Sequence, residues 1–361
     1  MSNPVKTHYQ KHPYPIYPLL ASVRRCDTYA LNLHALWARF NSTMPPPEAL
    51  RILIAGCGTF APYPWAVANP DVPITALDLS ERSLRRARLH CLLHGRRNVL
   101  YRCGDLSDQA TIDGEYGVID SFGVLHHLDD PLAGLKALEQ HLVPGGILRV
   151  MLYSRYARQE EESIRRAFRL LGIDSPGKAH RLLRKATAGS RLANYLAASD
   201  EPATTSGRAD ALLHPRVHTY RIDELLEMIA QTGLELMMFA HNEARDEPAA
   251  EIERIRTLEK KHLSPGNFVL YLRKSNGKRV DKAATDGMVM LNPCLVPSVR
   301  RFTFGSLQIA PRIGNENPLL TGRDRKFLRR FIAPCPCSKL SGDFAESVAV
   351  YKRLLFLVEY A

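Results

Sequence analysis

The most restrictive stretch of the chain is Ile52-Leu53-Ile54-Ala55-Gly56-Cys57-Gly58-Thr59. An apolar run too short for a helix breaks off in two glycines one residue apart. That is the pattern of a buried parallel strand delivering the backbone into a tight turn. Without Cβ atoms, such a turn lets a ligand come close to the main chain. A second buried run, PITALDLS, ends at Asp78, twenty residues past Gly58. Ser80 suits the N-cap of the helix that follows, and Glu81 complements the dipole of its first turn. In that helix Leu84, Ala87, Cys91 and Leu92 share a face while Arg82, Arg85 and Arg86 project away. NVLYRCGD and GVIDSFGV read as a third and a fourth strand, and PLAGLKALEQHL as a helix opened by Pro131. Pro144-Gly145-Gly146 reads as a turn into a fifth strand, ILRVMLY. Strands and helices alternating in this way specify an α/β fold with a doubly wound, mostly parallel sheet.

The rest of the chain divides around that core. Residues 1–45, rich in Tyr and Pro at HYQKHPYPIYP, are expected to form a cap segment whose first thirty residues are a loop packed on the body. The core itself is assigned to 46–154, with a helix near 61–69 that should begin only after Pro64. Residues 155–232 read as a helical, basic insertion forming a lid, interrupted by a loop near Ser199–Ser206 and closing with a helix through DELLEMIAQTG. Strands at LELMMFA and NFVLYLR (within 233–274) should complete the sheet as a hairpin-like edge pair. A polar linker spans 275–287 and an α+β appendage 288–361, with a strand at FTFGSLQIA, a helix at RDRKFLRRFI and a longer helix at FAESVAVYKRLLFLVEY. An appendage of that size is marginal alone and is expected to dock.

Composition excludes several classes. Of 361 residues, 45% are hydrophobic and 24% charged, as in ordinary globular chains, which argues against wholesale disorder. No apolar run reaches the roughly eighteen residues a membrane span needs. The N-terminus lacks the apolar core of a secretory signal, so a cytoplasmic location is expected. Seven scattered cysteines suit reduced thiols. Cys335-Pro-Cys337 stands without a second ligand pair, and a zinc site takes about four ligands; the pair reads as packed thiols and no metal is expected. The net charge of +12 is concentrated in 155–191, with ten basic against four acidic residues, and in 274–361, with fifteen against seven. No stacking-aromatic motif accompanies these basic regions, so they read as solvated faces.

The chemistry sits at three strand ends. Beside the glycine turn at Gly56 and Gly58, Asp78 can accept hydrogen bonds from both hydroxyls of a ribose, and Asp105 in CGDL can face an adenine amino group. Together they describe a nucleoside crevice at the carboxyl edge of the sheet. Gly56-x-Gly58-x-x-Ala61 also satisfies a relaxed dinucleotide fingerprint. Against NAD, Pro62 and Pro64 stand where a clean helix N-terminus should receive the pyrophosphate.

The strings IAGCGT, ALDLS, CGDL, SFGVLHHLDDP and LVPGGILRVMLYS, in this order over about residues 50–153, resemble the class I S-adenosylmethionine-dependent methyltransferases of bacteria. The resemblance implies a Rossmann-like methyltransferase core and S-adenosylmethionine as cofactor. It implies that Gly56 and Gly58 border the methionine moiety, that Asp78 holds the ribose and that Asp105 faces the adenine. Ser121 and Phe122 would lie near the transferred methyl, and Ala55, Cys57, Leu79, Gly104 and Leu106 complete the cofactor-binding set. HPRVHTYRIDELLEMIAQTGLELM (214–237) is similar to the region before the sixth strand of some members. The chain departs from the family at Ile54, where many members carry an acid, and at Phe60, where a third glycine is usual. The methionine ammonium thereby loses one carboxylate partner, leaving loop carbonyls to serve.

The implied reaction is in-line displacement, in which the protein aligns the reactants and excludes water. A hydroxyl acceptor wants a base, for which His126 and His127 are the candidates; the alternative is a structural pair bonded to backbone. His214, His218 and Tyr220 are placed either at the pocket or on the lid surface, and Tyr9, Tyr14 and Tyr17 either over the cofactor or in ordinary packing. Arg165, Arg166 and Arg169 serve either an anionic acceptor or a solvated face. The expected acceptor is a small molecule. The alternatives are a protein or nucleic-acid methyltransferase docking through the basic C-terminal region, a non-catalytic nucleoside-binding protein, and an NAD-dependent oxidoreductase.

Overall fold

The computed structural model describes residues 3–275, 287–300 and 305–361. The chain opens with helix α1 (Pro4–Lys11), a 3₁₀ segment at Arg25–Leu31 and α2 (Leu33–Asn41). The expected loop over the first thirty residues is therefore corrected to helix at its start. Asn3 caps α1 by accepting from the amides of Val5 and Lys6, and Pro4 takes the first helical position.

The core follows as β1 (Ile52–Ala55), α3 (Pro62–Ala68), β2 (Ile74–Asp78), α4 (Glu81–Leu93), β3 (Val99–Cys103), β4 (Tyr116–Phe122), α5 (Pro131–Gln140) and β5 (Leu142–Leu152). Helix α3 begins at Pro62 rather than after Pro64. Both prolines fall in its first turn, where the missing N–H has no intrahelical partner to lose. The Pro144-Gly145-Gly146 turn lies inside β5: the register slips between Tyr116↔Leu142 and Val118↔Ile147, so extra residues bulge from an otherwise continuous strand.

The insertion contains α6 (Gln159–Leu170), α7 (Pro176–Leu183), α8 (Arg191–Ala198), α9 (Thr205–Leu213) and α10 (Ile222–Ala230). Then come β6 (Leu234–Phe239), α11 (Pro248–Glu259) and β7 (Phe268–Lys274). The seven strands run in the order β3-β2-β1-β4-β5-β7-β6, parallel except that β7 is antiparallel to both β5 and β6. The doubly wound, mostly parallel sheet is as expected. The hairpin is not: β6 and β7 pair, but α11 separates them in sequence and β7 slots between β5 and β6. Helices α2 and α3 cover the face carrying Ile52, Ile54 and Val118. Helices α5, α10 and α11 cover the face carrying Leu53, Ile119 and Leu148. Among the described residues no helix is long and apolar enough to cross a membrane.

The C-terminal unit is a small antiparallel sheet in the order β10-β8-β9, built from β8 (Met288–Leu291), β9 (Cys335–Pro336) and β10 (Leu357–Tyr360), with α12 (Val296–Arg300), α13 (Gly322–Arg329) and α14 (Asp343–Arg353). Two expectations are corrected. The long final helix stops at Arg353, because Leu355 turns at φ 58° and Leu357 and Val358 are buried as strand. Of the FTFGSLQIA strand, residues 302–304 lie outside the described residues, as does 276–286 of the expected linker. The remainder makes only an isolated bridge, Leu307↔Leu320. The unit docks on the 3₁₀ segment: Asn292 donates to the carbonyls of Tyr29 (3.0 Å) and Leu355 (2.9 Å), and the Tyr29 ring meets Phe356 edge-on at 5.2 Å.

Candidate active site

A cavity of about 690 Å³ lies at the carboxyl ends of β1 to β5, between the sheet, α1, the 3₁₀ segment and the lid. At its centre Gly56 and Gly58 turn at φ 77° and 56°. A Cβ on Gly56 would stand 2.4 Å from Val124, and one on Gly58 would stand 2.6 Å from the Tyr14 carbonyl. The space these glycines leave is thus filled by the β4 loop and the N-terminal segment, which is bonded to the turn through Thr59 and the carbonyls of Tyr14 and Pro15.

Asp78 accepts from the amides of Gly58 (2.7 Å) and Ser80 (2.8 Å), which ties the end of β2 to the glycine turn and to the start of α4. Burial pushes its carboxyl up to about 6 against those two bonds. Asp105 accepts from the Ser107 amide (2.9 Å) and from the Asn3 side chain (3.0 Å), so the cap of α1 reaches the end of β3.

Of the residues singled out from sequence, Gly56, Cys57, Gly58, Asp78, Leu79, Gly104, Asp105, Leu106, Phe122 and His127 all line this cavity. Ala55, Ser121 and His126 are buried outside its lining. Strand alternation separates the neighbours in β4: Phe122 faces the cavity, and Ser121 points through the opposite face. His126 stacks on Tyr153 at 3.7 Å with no polar partner for either ring nitrogen, and burial lowers its pKa well below the ordinary value. His127 sets Nδ1 2.8 Å from the Arg216 carbonyl and leaves Nε2 buried and unpartnered; burial takes it down to about 3. Both imidazoles are neutral at physiological pH.

Tyr9, Tyr14 and Tyr17 line the cavity from the N-terminal segment, and Phe60 packs on Tyr17 and His90 as part of its wall. His214, His218 and Tyr220 stay behind the lining: His214 stacks on His127, and the His218 amide donates to the His126 carbonyl. Arg165 is buried and bonded to the carbonyl of His214 (2.8 Å), while Arg166 and Arg169 are exposed.

Asp120 and Asp210 are among the lining carboxylates that the sequence did not mark. Asp120 on β4 lies in register with Ile54 on β1 and Arg149 on β5, so it faces the cavity one strand away from the position where an acid was missing. The Trp65 indole donates to its Oδ2 at 2.8 Å. Its Oδ1 is buried without a hydrogen-bond partner and forms an ion pair with the Arg149 guanidinium at 3.6 Å. Asp210, on α9, accepts from the Tyr9 hydroxyl at 2.8 Å, and burial pushes it up to about 7. An acid inside a buried strand was a visible signal for Asp120. Nothing local marked Asp210.

Residues 53–148 match a family described as a methyltransferase domain. An uncharacterized protein of Synechococcus sp. is 29% identical over 249 residues, covering 65% of this chain and 59% of its own length. The ubiquinone biosynthesis O-methyltransferase of Bordetella avium is 35% identical over 100 residues, covering 27% of this chain and 41% of its own. The chain thus spans about two to three fifths of these relatives. PKMT2 from Rickettsia typhi shares the fold at a TM-score of 0.56 and 14% identity, over 95% of this chain and 77% of that one. The segment that matches the methyltransferase domain, residues 53–148, holds the glycine turn and the ends of β2, β3 and β4.

Proposed function

We propose that this protein transfers a methyl group from S-adenosylmethionine to a small-molecule acceptor held beneath the lid. The observation that carries the proposal is the convergence of Asp78, Asp105 and Asp120, whose Oδ1 has no hydrogen-bond partner, on one cavity around the glycine turn. Those groups fit the cofactor. Asp78 retains lone pairs for ribose hydroxyls, Asp105 stands at the adenine end, and Asp120 supplies the anion that the methionine ammonium loses at Ile54. Bound there, the cofactor supplies a sulfonium methyl as electrophile. The protein's own share is alignment by the glycine turn and Phe122, and exclusion of bulk water by α1 and the lid. Enclosure by α1 and α9 supports a small acceptor, and free cysteines among the described residues suit work in the reducing cytoplasm.

S-adenosylhomocysteine should raise the melting temperature and NAD should leave it unchanged. Asp120→Asn should weaken S-adenosylhomocysteine roughly tenfold or more and leave 5′-methylthioadenosine, which lacks the amino-acid tail, unaffected. Equal losses for both ligands in a calorimetric titration would show that Asp120 serves the fold instead.

A further inference from the structure

We infer that the acceptor is a small amine, whose ammonium form is held at the lid end of the cavity by Asp210 among Tyr9, Tyr14 and Tyr153. The inference rests on the methyltransferase reading above and names the substrate class of that same site. All four residues line the cavity, and Asp210 and Tyr153 are only 5% and 6% exposed.

Arg158 and Arg165 act on Asp210 through space, but both are paired in contact with other groups. Arg158 pairs with Glu161 (3.0 Å) and Glu201 (2.6 Å), and its guanidinium lies over the Tyr153 ring at 4.0 Å. Arg165 pairs with Glu162 (3.2 Å) and donates to the His214 carbonyl. Arg208 donates to the carbonyls of Pro202 and Ala203. Among the described residues the only partner recorded for the Asp210 carboxylate is the Tyr9 hydroxyl. The attraction of Arg158 and Arg165 does not offset the desolvation of Asp210, and a ligand that brings a cation into contact with the carboxylate relieves that cost. The rings of Tyr9 and Tyr14 add the attraction of aromatic faces for a cation, while Tyr153 is already covered by Arg158 and His126. The imidazoles near Tyr9 bring no competing charge, since burial keeps His127 and His214 neutral. A neutral hydroxyl would leave the charge uncompensated, and an anion would meet Asp210 and Glu201 head-on.

The same carboxylate completes the proton balance. It takes a proton from the ammonium, which frees the nitrogen lone pair. That lone pair forms the new N–C bond as the C–S bond breaks, and the electron pair of that bond stays on sulfur, leaving a neutral thioether. Desolvation, with Glu201 acting in the same direction and the Tyr9 bond, Arg158 and Arg165 opposing, brings Asp210 up to about 7, where it exchanges protons near neutrality.

The test compares n-butylammonium with n-butanol, near-isosteres differing in charge, titrated into the full chain saturated with S-adenosylhomocysteine. The expected result is that the ammonium binds about tenfold tighter or more. Asp210→Asn should bring it to the level of the alcohol while S-adenosylhomocysteine affinity stays within about twofold of the parent protein. Equal binding of the two probes to the parent protein overturns the amine assignment and leaves the cofactor reading standing. Failure of S-adenosylhomocysteine itself to bind overturns the methyltransferase reading instead. Because the first comparison uses the unmutated protein, a variant that fails to fold does not shelter the proposal.

Discussion

Asp78→Asn is expected to weaken S-adenosylhomocysteine binding by about two orders of magnitude, the largest effect of any single change in the cavity. The carboxylate does two things at once. Its oxygens hold the Gly58 and Ser80 amides, which fixes the glycine turn against the start of α4, and the residue lines the cavity. An amide has one acceptor oxygen for two backbone donors, so its NH₂ must confront one of them or the ribose. A charge-assisted bond is worth about 1.5–3 kcal/mol, and the displaced turn adds to the loss. The charge dependence gives a second signature. Ribose hydroxyls would donate to the ionised form, and burial raises the carboxyl to about 6. Affinity should therefore fall as pH drops from 7.5 through 6, and the Asn variant should show a flat profile over the same range. Calorimetric titration at several pH values measures both; a variant within threefold of the parent would remove Asp78 from the nucleoside site.

Phe356→Ala is expected to cost about 3–5 kcal/mol of stability, read as a lowered urea midpoint. The ring is fully buried where the C-terminal sheet meets the body, edge-on to Tyr29 at 5.2 Å and stacked with Tyr351 at 6.2 Å. Buried residues of that sheet and of the core sheet belong to one continuous apolar cluster, so little can collapse to fill the void. Tyr29 sits in the 3₁₀ segment whose Asp27, Thr28 and Ala30 wall the cavity beside Asp120. The same variant should accordingly lose S-adenosylhomocysteine affinity several-fold before it unfolds. A midpoint unchanged from the parent would mean that the C-terminal unit is carried rather than used.

Much of the core was legible because its signals are local. The glycine turn, Asp78 and Asp105 each close an apolar run, and the alternation of strands with capped helices fixed the order of elements before any contact was known. What escaped depends on contacts between distant residues. The relevance of Asp120 comes from pairing β4 beside β1, which sets it level with Ile54 across a separation no periodicity reveals. Asp210 looks like any polar helix residue until Tyr9, two hundred and one positions earlier, folds over it. Ser121 and Phe122 could not both face the cavity, since adjacent strand residues point to opposite sides. The final strand hid inside an apolar stretch that suits a helix equally well, and only its pairing with β8 decides the matter.

Helix α1 is eight residues long, yet it is fastened to both extremities of the cavity, through Asn3 to Asp105 and through Tyr9 to Asp210. With a single short clasp on two buckles, a nucleoside at one end and an acceptor at the other would wait on the same undoing. Ligand exchange on such a scaffold is expected to keep pace with the fraying of helix α1, and a bulky group fixed on its first turn should be felt at both doors.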